Sequence, residues 1–457
     1  MRKIAILMLM WSATMLKGMA QQAPPNNGPH TFSLADCIAY AYDHQDTVKN
    51  AKLDITKADY QIKEIKGQGL PQVNGVISFQ DFTRAPTSVG PDFSKISTGQ
   101  PLDPKAPLSV FPVGAVQYTN NYTLQASQLL FSGSFLVGLE AVKTYKELSV
   151  RNLTRSKIST NVSVTKAYYQ VLVNNEQLKL LDANIKQLKQ QVTETTQQNK
   201  QGFVEKIDID RLEVQYNNLV TNRENVARLL TLGYAMLKFQ MGMPIQEELN
   251  LTDNLEGVKL GQEVAQSSID TSFYHNRIEY SLLETAKKLN ELDAKQKKAE
   301  FLPTISASGG FGTTFQENQT RYLYSHNYPS SFIGLNINIP IFSGFQRKYR
   351  LKQSEVEVQK SQNDLDNAKN GLSLQATAAR VSFINSLQSL NNQKRNQTLA
   401  NEVLRVSKIK YGQGVGSSIE VTQAQTALES SDNAYIQALY DALINKVNLD
   451  QAYGRIK

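Results

Sequence analysis

The sequence predicts a mixed α and β chain: four membrane-spanning β-strands per protomer, closed by three copies into a twelve-stranded barrel and continued by a long α-helical coiled-coil barrel. Three observations predict it. A short phrase occurs twice, as Gln128-Leu129-Leu130-Phe131-Ser132-Gly133-Ser134-Phe135 and as Ile339-Pro340-Ile341-Phe342-Ser343-Gly344-Phe345, with Phe131 and Phe342 211 positions apart. Each phrase closes a stretch in which apolar and polar residues alternate, the period of a half-buried strand. Each also opens a very long stretch with helical spacing and almost no glycine or proline. A spacing this constant marks two internal repeats.

The first twenty residues stand apart. Arg2 and Lys3 precede an apolar run from Ile4 to Leu16, and Gly18-Met19-Ala20 supplies small residues for cleavage after Ala20. This is the pattern of a secretory signal, residues 1–20. Its removal takes away Arg2, Lys3 and Lys17 and lowers the formal charge of +8 by three, too mild a balance to argue for nucleic acid. Cys37 is the only cysteine, so no disulfide forms within the chain, and it reads as a small buried residue of the first helix. No later stretch holds eighteen consecutive apolar residues, so any membrane crossing falls to strands.

In order, Ser33-Leu34-Ala35-Asp36 reads as a capping box, and the helix it opens runs on to Pro71. From Pro71 the period becomes two: Val73, Gly75, Ile77 and Phe79 alternate with Asn74, Val76, Ser78 and Gln80. Its partner carries Tyr118, Tyr122, Leu124 and Ala126 on one face and Thr119, Asn121, Thr123 and Gln125 on the other. Residues 83–116 between them hold Pro86, Pro91, Pro101, Pro104, Pro107 and Pro112, too many for regular structure, and read as a long exposed loop. The long helix follows over about 135–200, about 100 Å at 1.5 Å per residue. Leu178, Leu181, Ile185, Leu188 and Val192 step along it by three and four. After Gly202 a return helix over about 205–240 repeats that step with Ile209, Leu212, Tyr216 and Leu219, the seam of a coiled coil.

The first repeat therefore spans 21–242, with its hairpin over about 71–131, and residues 243–270 form a linker with strand-like residues at Leu249 to Leu251. The second repeat spans 271–457. Its hairpin covers about 303–342, its long helix about 345–410 and its return helix about 417–452. Leu70-Pro71 falls on Leu302-Pro303 at an offset of 232, Gly202 on Gly412 and Asp210 on Glu420 at 210, and Gly242 on Gly454 at 212.

Each strand is about ten residues, long enough to cross a bilayer when tilted. Four strands cannot close a barrel, and an open edge in lipid leaves backbone groups unsatisfied at several kcal/mol each. The protomer must oligomerise through its strands, and three copies reach twelve, an even number within the range of such barrels. Helices leaving on one side would continue the barrel as a hollow ring, which accounts for their glutamine- and asparagine-rich faces.

The duplicated Leu-Pro strand entry, the Phe-Ser-Gly junction, the glycine-bearing helix turns and the closing Gly242-Met243-Pro244 resemble the outer membrane efflux family, the TolC-type channel-tunnels, over essentially the whole chain after Ala20. The resemblance implies a homotrimer in the outer membrane of a Gram-negative bacterium, set in outer-membrane lipid, with a periplasmic tunnel. It implies a passive duct for drugs, other small molecules or proteins. Its partners would be a periplasmic adaptor, or membrane fusion, protein and an inner-membrane RND or ABC transporter. Carried over residue by residue, it implies a periplasmic gate at Tyr411 and Asp210 and an acidic entrance ring at Glu420. The turns at Gly202, Gly412, Gly414 and Gly416 become adaptor-docking tips, and Phe131, Gly133, Phe342 and Gly344 the join between barrel and helices. Gln423 replaces the second ring acid and Gly416 the tip arginine, so the ring would hold three glutamates and focus cations less.

Other classes find little support. His30, His44, His275 and His326 show no metal spacing, and no phosphate loop or nucleophile motif occurs, so the chain reads as no enzyme, with no cofactor. The rival reading is a secreted periplasmic coiled-coil adaptor whose strands form a small soluble sheet.

Overall fold

The structure is a computed structural model, and it describes residues 30–84, 87–90, 109–112, 116–255 and 272–456. The signal-like segment and most of the proline-rich stretch lie outside these. The chain is mostly helical with one principal sheet. Its elements are β1 (His30–Phe32), α1 (Leu34–His44), α2 (Asp46–Gln68), β2 (Gln72–Asp81), β3 (Thr87–Gly90), β4 (Ser109–Pro112), β5 (Tyr118–Ser132), α3 (Gly133–Lys200) and α4 (Lys206–Met241). They continue with β6 (Leu249–Leu251), a 3₁₀ turn at Phe273–Asn276, α5 (Ile278–Ala299), β7 (Thr304–Glu317), a second 3₁₀ turn at Thr320–Tyr322, β8 (Asn327–Asn338), α6 (Gln346–Gly412) and α7 (Ser418–Ala452).

Four strands make an antiparallel sheet in the order β2-β5-β7-β8, leaving β2 and β8 as its open edges. Residues directly opposite one another share a face, so register decides what each face carries. Val73, Ala126, Gly309 and Ile333 form one such row, Gly75, Leu124, Phe311 and Ser331 the next, and Phe131, Ile305 and Ile337 the row nearest the helices. On the other face the rows read Ser78, Asn121, Thr314 and Tyr328, then Gln72, Ser127, Ser308 and Gly334, then Ser132, Thr304 and Asn338. One face is predominantly apolar and the other predominantly polar. The polar face has its own bonds, with Thr314 Oγ1 donating to Asn121 Oδ1 at 2.8 Å. Phe332, an apolar exception there, lies over Gly310, where a Cβ would meet its ring at 2.7 Å.

Helices α2, α3, α5 and α6 all join the sheet at one end and pack as neighbours in that order. Helix α3 carries 68 residues, about 100 Å, and turns back into α4. Leu181 and Leu188 of α3 bury against Leu212, Leu219 and Val226 of α4, with Leu178, Ile185, Val192 and Tyr216 packed around them. In the other hairpin, Leu404 of α6 meets Val421, Ala424 and Leu428 of α7. Val173 of α3 packs on Ile436 and Leu443 of α7, which holds the two hairpins together. Halfway along, β1 pairs in parallel with β6. Beside it Cys37 is completely buried with Tyr168 and Met241, and burial pushes its thiol up to about 12, which leaves it unreactive.

Four features depart from the expectations. The first helix is two, broken at Gln45, whose ψ of 125° is extended. Ser33 and Asp36 do form the capping box at its start, with Ser33 N–H donating to Asp36 Oδ2 at 3.0 Å. Within the proline-rich stretch, β3 and β4 pair as an antiparallel ribbon, so that segment is not wholly irregular. Strand β8 ends at Asn338, and Ile339 and Ile341 are not part of the ladder, since Pro340 has no N–H to continue it. Finally, the turns of the two hairpins match at 212 rather than 210. Gly202 and Gly414 each follow a helix C-cap with φ of +79° and +74°, whereas Gly412 is the last residue of α6.

A second glycine pair shares that offset and is required by close approach. Gly242 has φ +72° and a Cβ there would meet His44 O at 2.6 Å; Gly454 has φ +66° and would meet Asn276 O at 2.7 Å. Each glycine seats the end of a return helix on a break in the helix leading to the sheet. Gly242→Ala and Gly454→Ala should each cost about 1–2 kcal/mol from the left-handed backbone alone, and more from the clash. Gly412→Ala, with open space and helical backbone, should cost nothing measurable. Thermal melts followed by helical circular dichroism check the contrast, and equal melting temperatures for all three would refute it.

Candidate functional site

The end furthest from the sheet gathers the residues with least structural explanation. Helix α3 closes there with Phe203 N–H donating to Gln198 O at 3.0 Å and Asn199 Nδ2 to Val204 O at 2.7 Å. Phe203 is left 77% exposed and Val415, its counterpart 212 residues on, 75% exposed. Both are large apolar side chains left facing water at matching turns. Of the tip glycines, Gly202 and Gly414 supply left-handed backbone. Gly416 supplies room, since a Cβ there would sit 3.0 Å from both Lys410 Cβ and the Tyr411 nitrogen. Gly412 does neither.

Helix α7 is capped by Ser417, whose hydroxyl accepts from Glu420 N–H at 3.2 Å. Glu420 is thus held in the first turn, exposed, where the helix dipole favours a carboxylate. At the 212 offset its counterpart is Asp208, not Asp210. The structure brings Asp208 into the site and leaves Asp210 out of it. Ser418 Oγ donates to Asp208 Oδ1 at 2.5 Å, and Arg211 pairs with the same oxygen at 3.4 Å. Asp210 is exposed and makes no hydrogen bond or ion pair among the described residues. The offset fails because Gly412, Gly414 and Gly416 offer three glycines to set against Gly202, and only backbone dihedrals distinguish them.

Tyr411 sits in the last turn of α6, packed against the Leu404, Val421 and Ala424 cluster. Its hydroxyl is buried and makes no hydrogen bond among the described residues. Burial, and then the charge of Asp208, push its pKa above the ordinary tyrosine value, so it remains a neutral donor throughout the physiological range. The two groups are electrostatic neighbours but are not bonded. Beside Tyr411 a groove of about 320 Å³ is walled by Gln187, Gln190, Gln191 and Gln198, with Glu194 facing Lys408. Burial pulls the Lys408 ammonium down, and Glu194 opposes the shift. Gln215 adds a further tie between α4 and α7, donating to Thr426 Oγ1 at 3.1 Å.

Higher in the bundle, Asp432 is buried and fixes three helices together. Asn184 Nδ2 of α3 donates to its Oδ2 at 2.8 Å, and Gln397 Nε2 of α6 to its Oδ1 at 2.8 Å. One turn away, burial pushes the Glu429 carboxyl up, reinforced by Asp432 and partly opposed by Gln425.

At the opposite end the two sheet-to-helix junctions, at Phe131 and Gly133 and at Phe342 and Gly344, differ. Phe131 ends inside β5, and α3 starts at once with Ser132 as its cap. Gly133 is there for contact, since a Cβ would meet Leu302 Cδ1 at 2.8 Å. In the second junction Gly344 and Phe345 are both left-handed, at φ +60° and +63°, and Phe342 packs edge-on against Phe345 at 5.4 Å. Among the described residues no cluster of ligating side chains could hold a metal ion, and no helix is long and apolar enough to cross a membrane.

Residues 282–455 match the family model described as outer membrane efflux protein. The chain is 23% identical over 342 residues to outer membrane protein TolC of Salmonella enteritidis, covering 73% of this chain and 69% of that one. It is 24% identical over 369 residues to the probable efflux pump outer membrane protein TtgC of Pseudomonas putida, covering 78% and 74%. The solved fold of CusC aligns over 95% of each chain, with a TM-score of 0.72 and 16% identity.

The half-buried Glu429 gives a pH prediction. Its folded pKa lies above the unfolded one, so stability is complete at low pH and falls as pH rises from the ordinary glutamate value through the raised one. Glu429→Gln should therefore be more stable than the parent at pH 7, with the gap closing below about pH 4. Chemical denaturation at both pH values measures this; a gap that widens on acidification would contradict the assignment.

Proposed function

We propose that the chain, whose residues 282–455 match the outer membrane efflux protein model, is a member of that family and is the outer-membrane duct of an efflux or type I secretion system. It sits in the outer membrane of a Gram-negative bacterium and leads from the periplasm to the exterior. The observation that carries this reading is the register of the four-stranded sheet. Alternate residues sort into an apolar face and a polar one, the division a barrel needs between lipid and a wet bore. The strands run from 10 to 15 residues, long enough to span when tilted. Three protomers joining β2 of one to β8 of the next would close twelve strands and leave no edge in lipid. The same ring would continue through α2, α3, α5 and α6 and taper to the tips.

Transport through such a duct involves no bond making. The energy comes from an inner-membrane transporter, of the RND or ABC kind, reached through a periplasmic adaptor. Exposed Phe203 and Val415 at the paired tips are the surface for that adaptor. Drugs, other small molecules and secreted proteins are the substrate classes.

Closure falls to the ties at the tip. Ser418 to Asp208 and Gln215 to Thr426 hold α4 against α7, while Tyr411 presents a neutral, unsatisfied hydroxyl beside them. Removing these ties frees one hairpin from the other and widens the entrance. In planar bilayers, Asp208→Ala with Tyr411→Phe should raise single-channel conductance several-fold, while Asp210→Ala should leave it near the parent value. Conductance that responds to Asp210 and ignores Asp208 would reverse the assignment.

Three copies of Glu420 would ring the entrance, so Glu420→Ala should weaken block by a trivalent cation added on the periplasmic side. Unchanged block would move the cation site elsewhere. The protein should also sediment with outer membranes and run as a heat-modifiable trimer. A monomer confined to the periplasmic extract would point instead to a soluble adaptor.

A further inference from the structure

At the foot of the sheet, where α3, α5 and α6 leave it, lies an open groove of about 840 Å³. Phe131, Leu136, Leu302 and Leu351 form its apolar walls, and Lys298 stands at its rim. Leu136 and Leu302 are about half exposed, an unfavourable state for leucine facing water. Phe131 belongs to the last row of the apolar sheet face, beside Ile305 and Ile337. The groove therefore extends the lipid-facing surface past the end of the strands, between the helices.

Its charges have a consistent arrangement. Lys295 and Glu140, both on the groove, neutralise each other at 2.8 Å. Lys298, one turn nearer the sheet, is exposed and has no ion pair among the described residues. Arg347 likewise has none, and it lies one turn before Leu351 on the same side of α6. Two cations without an ion pair among the described residues thus belong to this level of the fold, Lys298 on the lining of the slot and Arg347 one helical turn before its Leu351 wall. Helices α3 and α5, which carry most of the slot, are the inner pair of the four, and only the Leu351 wall and Arg347 stand on α6 beside the β8 edge.

We propose that this groove binds an anionic glycerophospholipid of the periplasmic leaflet, one acyl chain lying along Phe131, Leu136 and Leu302 and the phosphate held between Lys298 and Arg347. The proposal rests on the outer-membrane reading above. Bare apolar surface combined with unpaired basic side chains at a membrane boundary is the chemistry that retains an anionic lipid. A neutral detergent or a zwitterionic lipid would fill the slot but leave both cations without a counter-charge.

The test uses the full-length protein, extracted in mild detergent and supplied with phosphatidylglycerol or phosphatidylethanolamine, with lipids retained per trimer counted by native mass spectrometry. The expected result is retention of up to one phosphatidylglycerol per protomer, preferred over phosphatidylethanolamine. Lys298→Glu with Arg347→Glu should cut that retention by about tenfold or more. Leu136→Trp, which fills the slot without altering charge, should cut retention of both lipids. Equal retention by the parent and the charge-reversed protein would overturn the proposal, as would equal retention of the two lipids by the parent. The heat-modifiable trimer is scored on the same samples. Its presence with lipid retention unchanged by the variants sinks the groove alone, and its absence from the parent sinks the outer-membrane reading instead.

Discussion

A strand in hydrocarbon has no water to satisfy its backbone, so each N–H and C=O on the sheet must find a partner in protein. This constraint governs most of what the chain does. The sheet described here has two free edges, β2 and β8, and a face rich in Val, Leu, Ile and Phe. Lipid suits the face but not the edges, which association edge to edge would satisfy. Strands closed into a ring in this way would fix the helices fused to them as well, because all four depart from the same end of the sheet. The coiled-coil seams are then a consequence of position. Leu188 meets α4 because α3 runs about 100 Å before it can turn.

The polar interior of the helical part follows from the same arrangement. Helices that face water on one side and each other on two cannot be strongly amphipathic, and their contacts are narrow. Buried polar links therefore carry part of the specificity. Asp432 joined to Asn184 and Gln397 fixes the relative height of three helices, which a leucine seam alone would leave free to slide by a turn.

Much of this was legible from residue periodicity. The switch from period two at Val73–Phe79 to the steps of three and four at Leu178–Val192 identified strand and helix correctly, because each pattern persists over many residues. The misreadings came where one residue decides the outcome. Gln45 breaks a helix with neither proline nor glycine, since the break is imposed by Gly242 docking on His44 from nearly two hundred residues away. The alternation of Ile337, Ile339 and Ile341 continued past Pro340 on paper, yet a residue without an N–H ends the ladder. Asp208 was passed over for Asp210 because its role depends on Ser418, a contact no local pattern reports. Lys408 and Glu429 escaped notice for the same reason, as each is defined by burial between helices.

The two junctions have a mechanical consequence. In the first, β5 passes into α3 without a break, and Gly133 presses the helix against α5; in the second, Ile339 to Phe345 form a bent connection with two consecutive left-handed residues. The first is a continuous join and the second a sharp bend, braced by Phe342 packed on Phe345. Helix α6 is 67 residues long, so the direction set at Gly344 fixes where Tyr411 lies at the far end. Over about 100 Å, a difference of about 3° in that direction moves the tip by about 5 Å, roughly the pitch of one helical turn. The contacts of Asp432 with Asn184 and of Ile436 with Val173 are what hold that long arm against α3, so the geometry set at Gly344 is transmitted to the tip only as far as those contacts allow.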